Sequence, residues 1–196
     1  YSLMPQIDRW VIQQFLELWQ RENVIPLMSS QQSQGNGLVL TTPVPDHGFL
    51  LDFPTQATSQ ADLSLLQGSV YTINLSGATV NDDQFLDFLH VQLAQAQIPP
   101  QLICFEITER VAIANLDKAA QLITEIKELG CQFALDDFGS GMSSFMYLRQ
   151  LPVDYLKIDG NFVRDIVNDP VNRAIVEAAN HIAHLMNIQT VAEFVE

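Results

Sequence analysis

Short apolar runs alternate with longer amphipathic segments over the last two thirds of the chain. Five runs have the length and composition of strands: Val70–Leu75, Leu102–Ile107, Gln132–Asp136, Asp154–Ile158 and Ile188–Ala192. The segments between them space their apolar residues as helices do: Asp82–Gln97, Asn115–Leu129, Ser143–Gln150 and Val171–Met186. Repeated strand-then-helix order predicts a parallel sheet with helices outside it. Either a doubly wound sheet or part of an eight-stranded barrel fits this order.

The chain before Val70 has a different pattern. Residues Pro5–Arg21 predict an amphipathic helix. Its wide apolar face consists of Ile7, Trp10, Val11, Phe15, Leu18 and Trp19. Residues 29–67 are largely polar, and two short apolar runs, Leu38–Thr41 and Phe49–Phe53, flank the turn-forming sequence PVPDHG. We interpret residues 29–67 as a peripheral insertion that carries a small hairpin.

Each predicted strand carries one polar side chain near its C-terminal end. Because side chains alternate between the two faces of a strand, each of these polar residues can be assigned to one face. These residues are Asn74, Glu106, Asp136, Lys157 and Glu193. In the first four strands, the polar residue lies opposite an apolar face suited to packing on helices. A barrel would bring all of them to its C-terminal mouth, whereas an open sheet would spread them along a row. Their convergence therefore favours the barrel.

These polar side chains have the chemistry of a metal centre. The hard oxygen ligands suited to Mg²⁺ or Mn²⁺ are Asn74, Glu106, Asp136 and Glu193. Asp137 adds a carboxylate for a second ion, as two-metal phosphodiester chemistry requires. Lys157 is suited either to pairing with carboxylates or to orienting an attacking water. The alternative is that the carboxylates cap helices or form ordinary surface charges and ion pairs.

A glycine-hinged turn follows the acidic pair. Gly139, Ser140 and Gly141 let the backbone turn sharply and approach a ligand or a partner, although a simple loop explains the same residues.

Length and charge limit the classes of function. A chain of 196 residues with 47% apolar content supports one sizeable core. The net charge of −14 argues against binding of long nucleic acid, which requires a basic surface. No run approaches the roughly 18 apolar residues of a membrane span, and no signal peptide is visible. Cys104 and Cys131 lie in apolar runs, as expected for reduced, buried core residues of a cytoplasmic protein.

Five motifs resemble a known family. They are INLS at Ile73–Ser76, FEITE at Phe105–Glu109, ALDDFGSGMSS at Ala134–Ser144, LPVDYLKID at Leu151–Asp159 and TVAEFVE at Thr190–Glu196. In this order they resemble the EAL domain, the cyclic di-GMP phosphodiesterase. The sequence PQIDRW at Pro5–Trp10 resembles the helix that precedes this region in the family.

The resemblance implies a fold, an activity and a role for each motif residue. It implies an α/β, TIM-like (β/α)8 barrel and hydrolysis of cyclic di-GMP to linear pGpG with two Mg²⁺ or Mn²⁺ ions. The first ion's implied ligands are Asn74, Glu106, Asp136 and Glu193. The second ion would bind Asp136 and Asp137. Lys157 would orient the water and, with Glu193, count among the catalytic groups. Glu109 would anchor the loop that contains Gly139, Ser140 and Gly141, near a homodimer contact.

The resemblance also implies that residues 1–196 are one EAL domain in partial form. The Glu-Ala-Leu stretch would lie upstream of Tyr1, and the last helix and strand would lie beyond Glu196. We therefore expect residues 1–196 alone to be inactive. Many family members have glycine where this chain has Phe194. The motif wording is similar to that of EAL domains in larger cytoplasmic or membrane-anchored proteins with a GGDEF domain and sensor modules.

A second function remains open at this point. A catalytically silent EAL domain binds cyclic di-GMP or a partner protein as a receptor. Silent members usually lose metal ligands, and the positions visible in this sequence are all filled, which favours the enzyme. An unrelated metal-dependent barrel, such as an enolase-like lyase, is a weaker third reading because it would not explain the ordered motifs.

Overall fold

The computed structural model describes residues 3–24, 70–140 and 145–194. The helices are α1 (Met4–Val24), α2 (Gly77–Val80), α3 (Phe85–Ala96), α4 (Glu109–Ala114), α5 (Leu116–Glu128), α6 (Gly160–Val163) and α7 (Pro170–Leu185). The strands are β1 (Tyr71–Asn74), β2 (Ile103–Thr108), β3 (Gln132–Phe138), β4 (Tyr155–Ile158) and β5 (Gln189–Ala192). Within these residues, two 3₁₀ turns cover Pro100–Leu102 and Tyr147–Gln150. The hairpin and insertion predicted at 29–67 lie outside the described residues.

The five strands form one parallel sheet in the order β1-β2-β3-β4-β5. Strand order reverses at a switch point in a doubly wound sheet, but each strand here pairs with the next one in sequence. That order is the one a TIM-like barrel uses, and the described strands form an open part of such a barrel. The predicted α/β barrel class is confirmed.

The two faces of this sheet have different surroundings. The helix-facing side chains include Phe105, Phe133, Leu135 and Leu156, all fully buried in the apolar core. The opposite face lines an open cavity of about 350 Å³. Its lining residues are Val70, Thr72, Cys104, Glu106, Ala134, Tyr155, Lys157 and Val191. The alternation predicted from the sequence therefore matches the faces of the sheet.

Three short helices, α2, α4 and α6, were missed by the sequence pattern. Helix α2 begins after Ser76, whose hydroxyl accepts a hydrogen bond from the Thr79 N–H, and α4 begins after Thr108, whose hydroxyl accepts from the Val111 N–H. Both hydroxyls act as N-caps. Helices of four and six residues are too short to show an apolar period.

The helix predicted at Ser143–Gln150 is present in its described part only as the shorter 3₁₀ turn Tyr147–Gln150. Residues 141–144 lie outside the described residues. Leu151 then adopts an extended conformation, as expected before Pro152, because proline disfavours helical geometry in the preceding residue.

The predicted N-terminal helix is present as α1, but its buried face differs from the predicted one. Ile12, Phe15, Leu16 and Trp19 are buried. Three members of the predicted face are exposed, with Ile7 at 46%, Trp10 at 60% and Leu18 at 37%. The apolar stripe is thus wider than the surface that the described sheet and helices cover.

A buried carboxylate joins α1 to the end of β1. Asp8 is only 6% exposed. Its Oδ2 accepts hydrogen bonds from the Ser76 N–H at 2.8 Å and from the Thr79 hydroxyl at 2.5 Å. Next to it, Arg9 forms an ion pair with Asp82 at 2.7 Å. These bonds position the helix beside the strand end that carries Asn74.

None of the described helices is both long and apolar enough to cross a membrane.

Candidate metal centre

Lys157 lies at the centre of the carboxyl edge of the sheet. Its Nζ is 3.0 Å from Glu106 Oε2, 2.9 Å from Asp136 Oδ1 and 2.9 Å from Glu193 Oε1. Strands β2, β3 and β4 supply three of these four side chains, and Glu193 directly follows β5. The carboxyl ends of neighbouring parallel strands lie at one edge, so residues far apart in sequence meet here.

A bulge brings a second aspartate into this group. Adjacent side chains of a regular strand point to opposite faces, so Asp136 and Asp137 should diverge. The pairing of β3 with β4 shifts register between Leu135 and Phe138, and Asp137 adopts a left-handed φ of 54°. This irregularity redirects the second carboxylate. As a result, carboxylate oxygens of Asp136, Asp137 and Glu193 lie within 4.8 Å of one another.

The surroundings of Lys157 keep it charged. Burial works against its charge, but hydrogen bonds to Asp136 and Glu193 and the negative charge of Glu106 outweigh burial and hold the pKa of the ammonium above its ordinary value. At neutral pH the side chain is therefore a hydrogen-bond donor, with no free electron pair to accept a proton.

The carboxylates are held in an unfavourable environment. Burial raises the pKa of Glu106, and the Lys157 charge only partly offsets this effect. Partial desolvation, together with the nearby Asp136 and Asp159 carboxylates, raises the pKa of Asp137. When Glu106, Asp136, Asp137 and Glu193 are all ionised, these four carboxylates and the Lys157 ammonium together carry a net charge of −3. A cluster of hard oxygen donors with excess negative charge fits divalent cations such as Mg²⁺ or Mn²⁺.

Asn74 lies beside this cluster but is not joined to it. It ends β1, its Cα is in register with Glu106, and its side chain is exposed. Among the described residues it makes no hydrogen bond to the carboxylates. The sequence-predicted residues that the structure brings into contact are Glu106, Asp136, Lys157 and Glu193, with Asp137 beside them.

Glu109 connects the cluster to the loop after β3. It is 1% exposed, and its Oε2 accepts a hydrogen bond from the Gly139 N–H at 3.0 Å. Its other oxygen accepts a hydrogen bond from the Tyr147 hydroxyl. Gly139 has φ +99°, a conformation that favours glycine. The Ser140 N–H donates to the Asp137 carbonyl at 3.1 Å, and Gly141 lies outside the described residues.

Sequence reasoning missed two residues that support this edge. Tyr147 was assigned only to a helix, and no sequence signal points to its bond with Glu109. Asp159 is 8% exposed, and its Oδ1 accepts a hydrogen bond from the Asn161 N–H at 2.8 Å, which caps α6. The Asp-Gly pair that follows β4 is a signal for this cap.

Comparisons with known proteins agree with this architecture. A family model described as "EAL domain" matches residues 47–196, more than half of the chain. The cyclic di-GMP phosphodiesterase PdeB of Shewanella oneidensis is 44% identical over 132 residues, which are 67% of this chain and 15% of that protein. The chain therefore spans less than a fifth of this curated relative.

Two solved structures are similar over much of the chain. The EAL enzyme Bd1971 with cAMP and cyclic di-GMP bound has a TM-score of 0.75 at 26% identity, covering 100% of this chain and 44% of that one. Klebsiella pneumoniae BlrP1 in complex with calcium and cyclic di-GMP has a TM-score of 0.61 at 30% identity, covering 68% of this chain and 34% of that one.

Proposed function

This chain belongs to the EAL domain family, and from that premise we propose that the full-length protein hydrolyses cyclic di-GMP to linear pGpG. The name of the Shewanella relative and the ligands of the two solved structures support this substrate. The chain covers 15% of that relative, so the activity is proposed for the protein as a whole.

The observation that carries the proposal is the cluster of Asp136, Asp137 and Glu193, with ligand oxygens within 4.8 Å. We assign a first Mg²⁺ or Mn²⁺ to Asn74, Glu106, Asp136 and Glu193. We assign a second ion to Asp136 and Asp137. When bound, such ions supply positive charge that offsets the negative charge developing on the phosphate during in-line cleavage.

Lys157 has a separate role in this proposal. Its raised pKa keeps it an ammonium, whose three N–H groups face carboxylates in this arrangement. When a bound ion draws one of these carboxylates away, the freed N–H would orient a water or a phosphate oxygen. The carboxylate of Glu193, 2.9 Å from its Nζ, restricts the direction in which that ammonium points. Glu106 and Asp136 do the same from the neighbouring strands.

The loop after β3 has a supporting role. Glu109 anchors it through Gly139, and we propose that Gly139, Ser140 and Gly141 lie near a homodimer contact. Sedimentation of the full-length protein tests this assignment, because substitutions in the loop would then shift the monomer–dimer equilibrium. We further propose a cytoplasmic location and GGDEF and sensor domains in the same protein.

Hydrolysis assays on the purified full-length protein test the activity. Chromatography should detect linear pGpG with Mg²⁺ or Mn²⁺ present and none in excess EDTA. Asp136→Asn should abolish product formation, whereas Asp117→Asn, an exposed aspartate on α5, should not. Hydrolysis that survives excess EDTA would contradict the metal assignment. Binding of cyclic di-GMP without turnover by the wild-type protein would favour the receptor function instead.

A further inference from the structure

The short helix α6 lies between the two chain segments that carry the acidic cluster. It directly follows β4 and its Lys157, and Asp159 caps its first turn. The Asp159 N–H also donates to the Phe138 carbonyl at 3.1 Å, which ties the start of α6 to the end of β3. The start of α6 is therefore held by a backbone hydrogen bond to β3 and by its direct chain connection to β4.

One phenylalanine packs directly on the backbone of α6. A Cβ placed on Gly160 would lie 2.0 Å from Phe194 Cδ2, so the ring occupies the space that any larger residue would need. The Arg164 guanidinium carbon lies 4.5 Å from the centre of the same ring. Phe194 immediately follows Glu193, and this contact therefore joins the Glu193 segment to α6.

The conformation of Phe194 is costly without that contact. Its φ is 53°, which is unusual for a bulky residue. Its side chain is 60% exposed, so burial in an apolar core does not explain its position. The ring contacts with Gly160 and Arg164 are the described interactions that hold it in place.

A second phenylalanine makes a similar contact on the other side. Phe162 of α6 packs on Gly139, where an added Cβ would lie 2.7 Å from Phe162 Cε2. Gly139 is two residues after Asp137, and its N–H is the group that Glu109 holds. Helix α6 thus contacts the segment with the two aspartates through one ring and the segment with Glu193 through another.

We propose that Phe194 is a positioning residue, which fixes the Glu193 carboxylate relative to Asp136 and Asp137 through its contact with Gly160 of α6. This inference rests on the proposed function, because it assigns a purpose to the fixed distance between the carboxylates. The contact of Phe162 with Gly139 holds the segment that carries Asp136 and Asp137 in the same way. Neither phenylalanine supplies an oxygen to the carboxylate cluster, so each would act through the carboxylates that it supports.

A double-mutant cycle on the full-length protein tests the proposal. Mn²⁺ affinity is measured by the electron paramagnetic resonance signal of free Mn²⁺, alongside hydrolysis and thermal unfolding. Phe194→Gly and Gly160→Ala should each weaken Mn²⁺ binding about tenfold, the scale expected when support around metal ligands is removed. The double variant should bind as Phe194→Gly does, because the alanine methyl then meets no ring. Gly160 has no left-handed φ, so alanine is not strained there by its backbone.

Two control variants and one stability measurement separate positioning from general stability. Phe194→Tyr retains the ring and should bind Mn²⁺ as the wild type does. Leu185→Ala removes an exposed apolar side chain at the end of α7 and should also leave affinity unchanged. Phe194→Gly should keep its melting temperature, because glycine adopts φ 53° readily, even though its affinity falls.

The outcomes distinguish this inference from the function it rests on. Unchanged Mn²⁺ affinity in Phe194→Gly, or additive losses in the double variant, would overturn the positioning role while wild-type hydrolysis stands. A tenfold loss in Phe194→Tyr would also overturn it. A wild-type protein that neither binds Mn²⁺ nor hydrolyses cyclic di-GMP would overturn the proposed function and this inference together.

Discussion

The two faces of the sheet differ in what their side chains contact. On the helix-facing side, Phe105, Phe133 and Leu135 are fully buried among apolar residues. On the cavity side, Glu106, Asp136 and Lys157 contact one another at the carboxyl edge. Phe105 and Glu106 are adjacent in sequence, yet one belongs to the core and the other to the charged cluster around Lys157.

This difference separates stability from chemistry within single strands. Full burial of a phenylalanine side chain contributes about 1.5–3 kcal/mol to stability. The cavity face instead holds ionisable groups in an unfavourable environment, as the raised pKa of Glu106 indicates. Substitutions on the first face should therefore change unfolding, and those on the second should change activity.

The largest effect is expected on the core face. Phe105→Ala removes a side chain with 0% exposure and should lower the free energy of unfolding by about 3–5 kcal/mol. Urea denaturation followed by tryptophan fluorescence measures it. Thr72→Ala, on the exposed cavity face of the neighbouring strand, should change stability by no more than about 0.5 kcal/mol. Equal losses for both variants would contradict the separation of the faces.

The next largest effect, on activity, is expected at Glu106, which is adjacent to Phe105 in sequence. Glu106→Gln keeps the shape of the side chain but removes a proposed ligand charge. It should lower kcat for cyclic di-GMP by roughly 100-fold, equivalent to about 2.7 kcal/mol. Stability should change little, because Lys157 keeps its bonds to Asp136 and Glu193. Glu128→Gln on the exposed side of α5 is the matched control, and full activity in Glu106→Gln would contradict the assignment.

A smaller effect on stability is expected at Tyr147, which bonds Glu109 next to the carboxyl edge of the sheet. Tyr147→Phe removes the hydroxyl that donates to Glu109 and should cost about 1–2 kcal/mol of unfolding free energy, as expected when a buried acceptor loses its donor. Tyr155→Phe serves as the control, because the Tyr155 hydroxyl makes no hydrogen bond within the described residues. Denaturation curves that coincide for Tyr147→Phe and wild type would show that this bond is dispensable.

The smallest effect is expected in the reaction of the two cysteines with thiol reagents. Burial raises the pKa of both Cys104 and Cys131 to about 12. At pH 8 only about one thiol in ten thousand is then ionised, and the thiolate is the reactive form. Labelling of the native protein should be negligible, although Cys104 borders the cavity, and should become rapid in denaturant. Fast labelling at pH 8 would indicate that the cavity face opens.

Alternation along the strands predicted which side chains share the charged cluster around Lys157. Because period-two patterns determine which face a side chain occupies, Glu106, Asp136 and Lys157 could be assigned to one face without coordinates. Sequential pairing then brings them to one edge. The choice between barrel and open sheet depended on that convergence, and the strand order confirms the barrel.

Contacts that depend on backbone irregularity could not be predicted this way. Strict alternation directs Asp137 away from Asp136, and only the bulge with its left-handed φ reverses that direction. The contact of Phe194 with Gly160 likewise depends on a left-handed residue. The buried face of α1 was predicted incorrectly because a wide apolar stripe does not say which part of it another element will cover.

The hydrogen bonds of Asp8 have a consequence for how the protein can vary in evolution. They join α1 to Ser76 and Thr79 across roughly seventy residues of sequence. These bonds hold α1 at the end of the strand that carries Asn74. Variation at Asp8 should therefore be constrained, and Asp8→Ala should weaken Mn²⁺ affinity in the full-length protein.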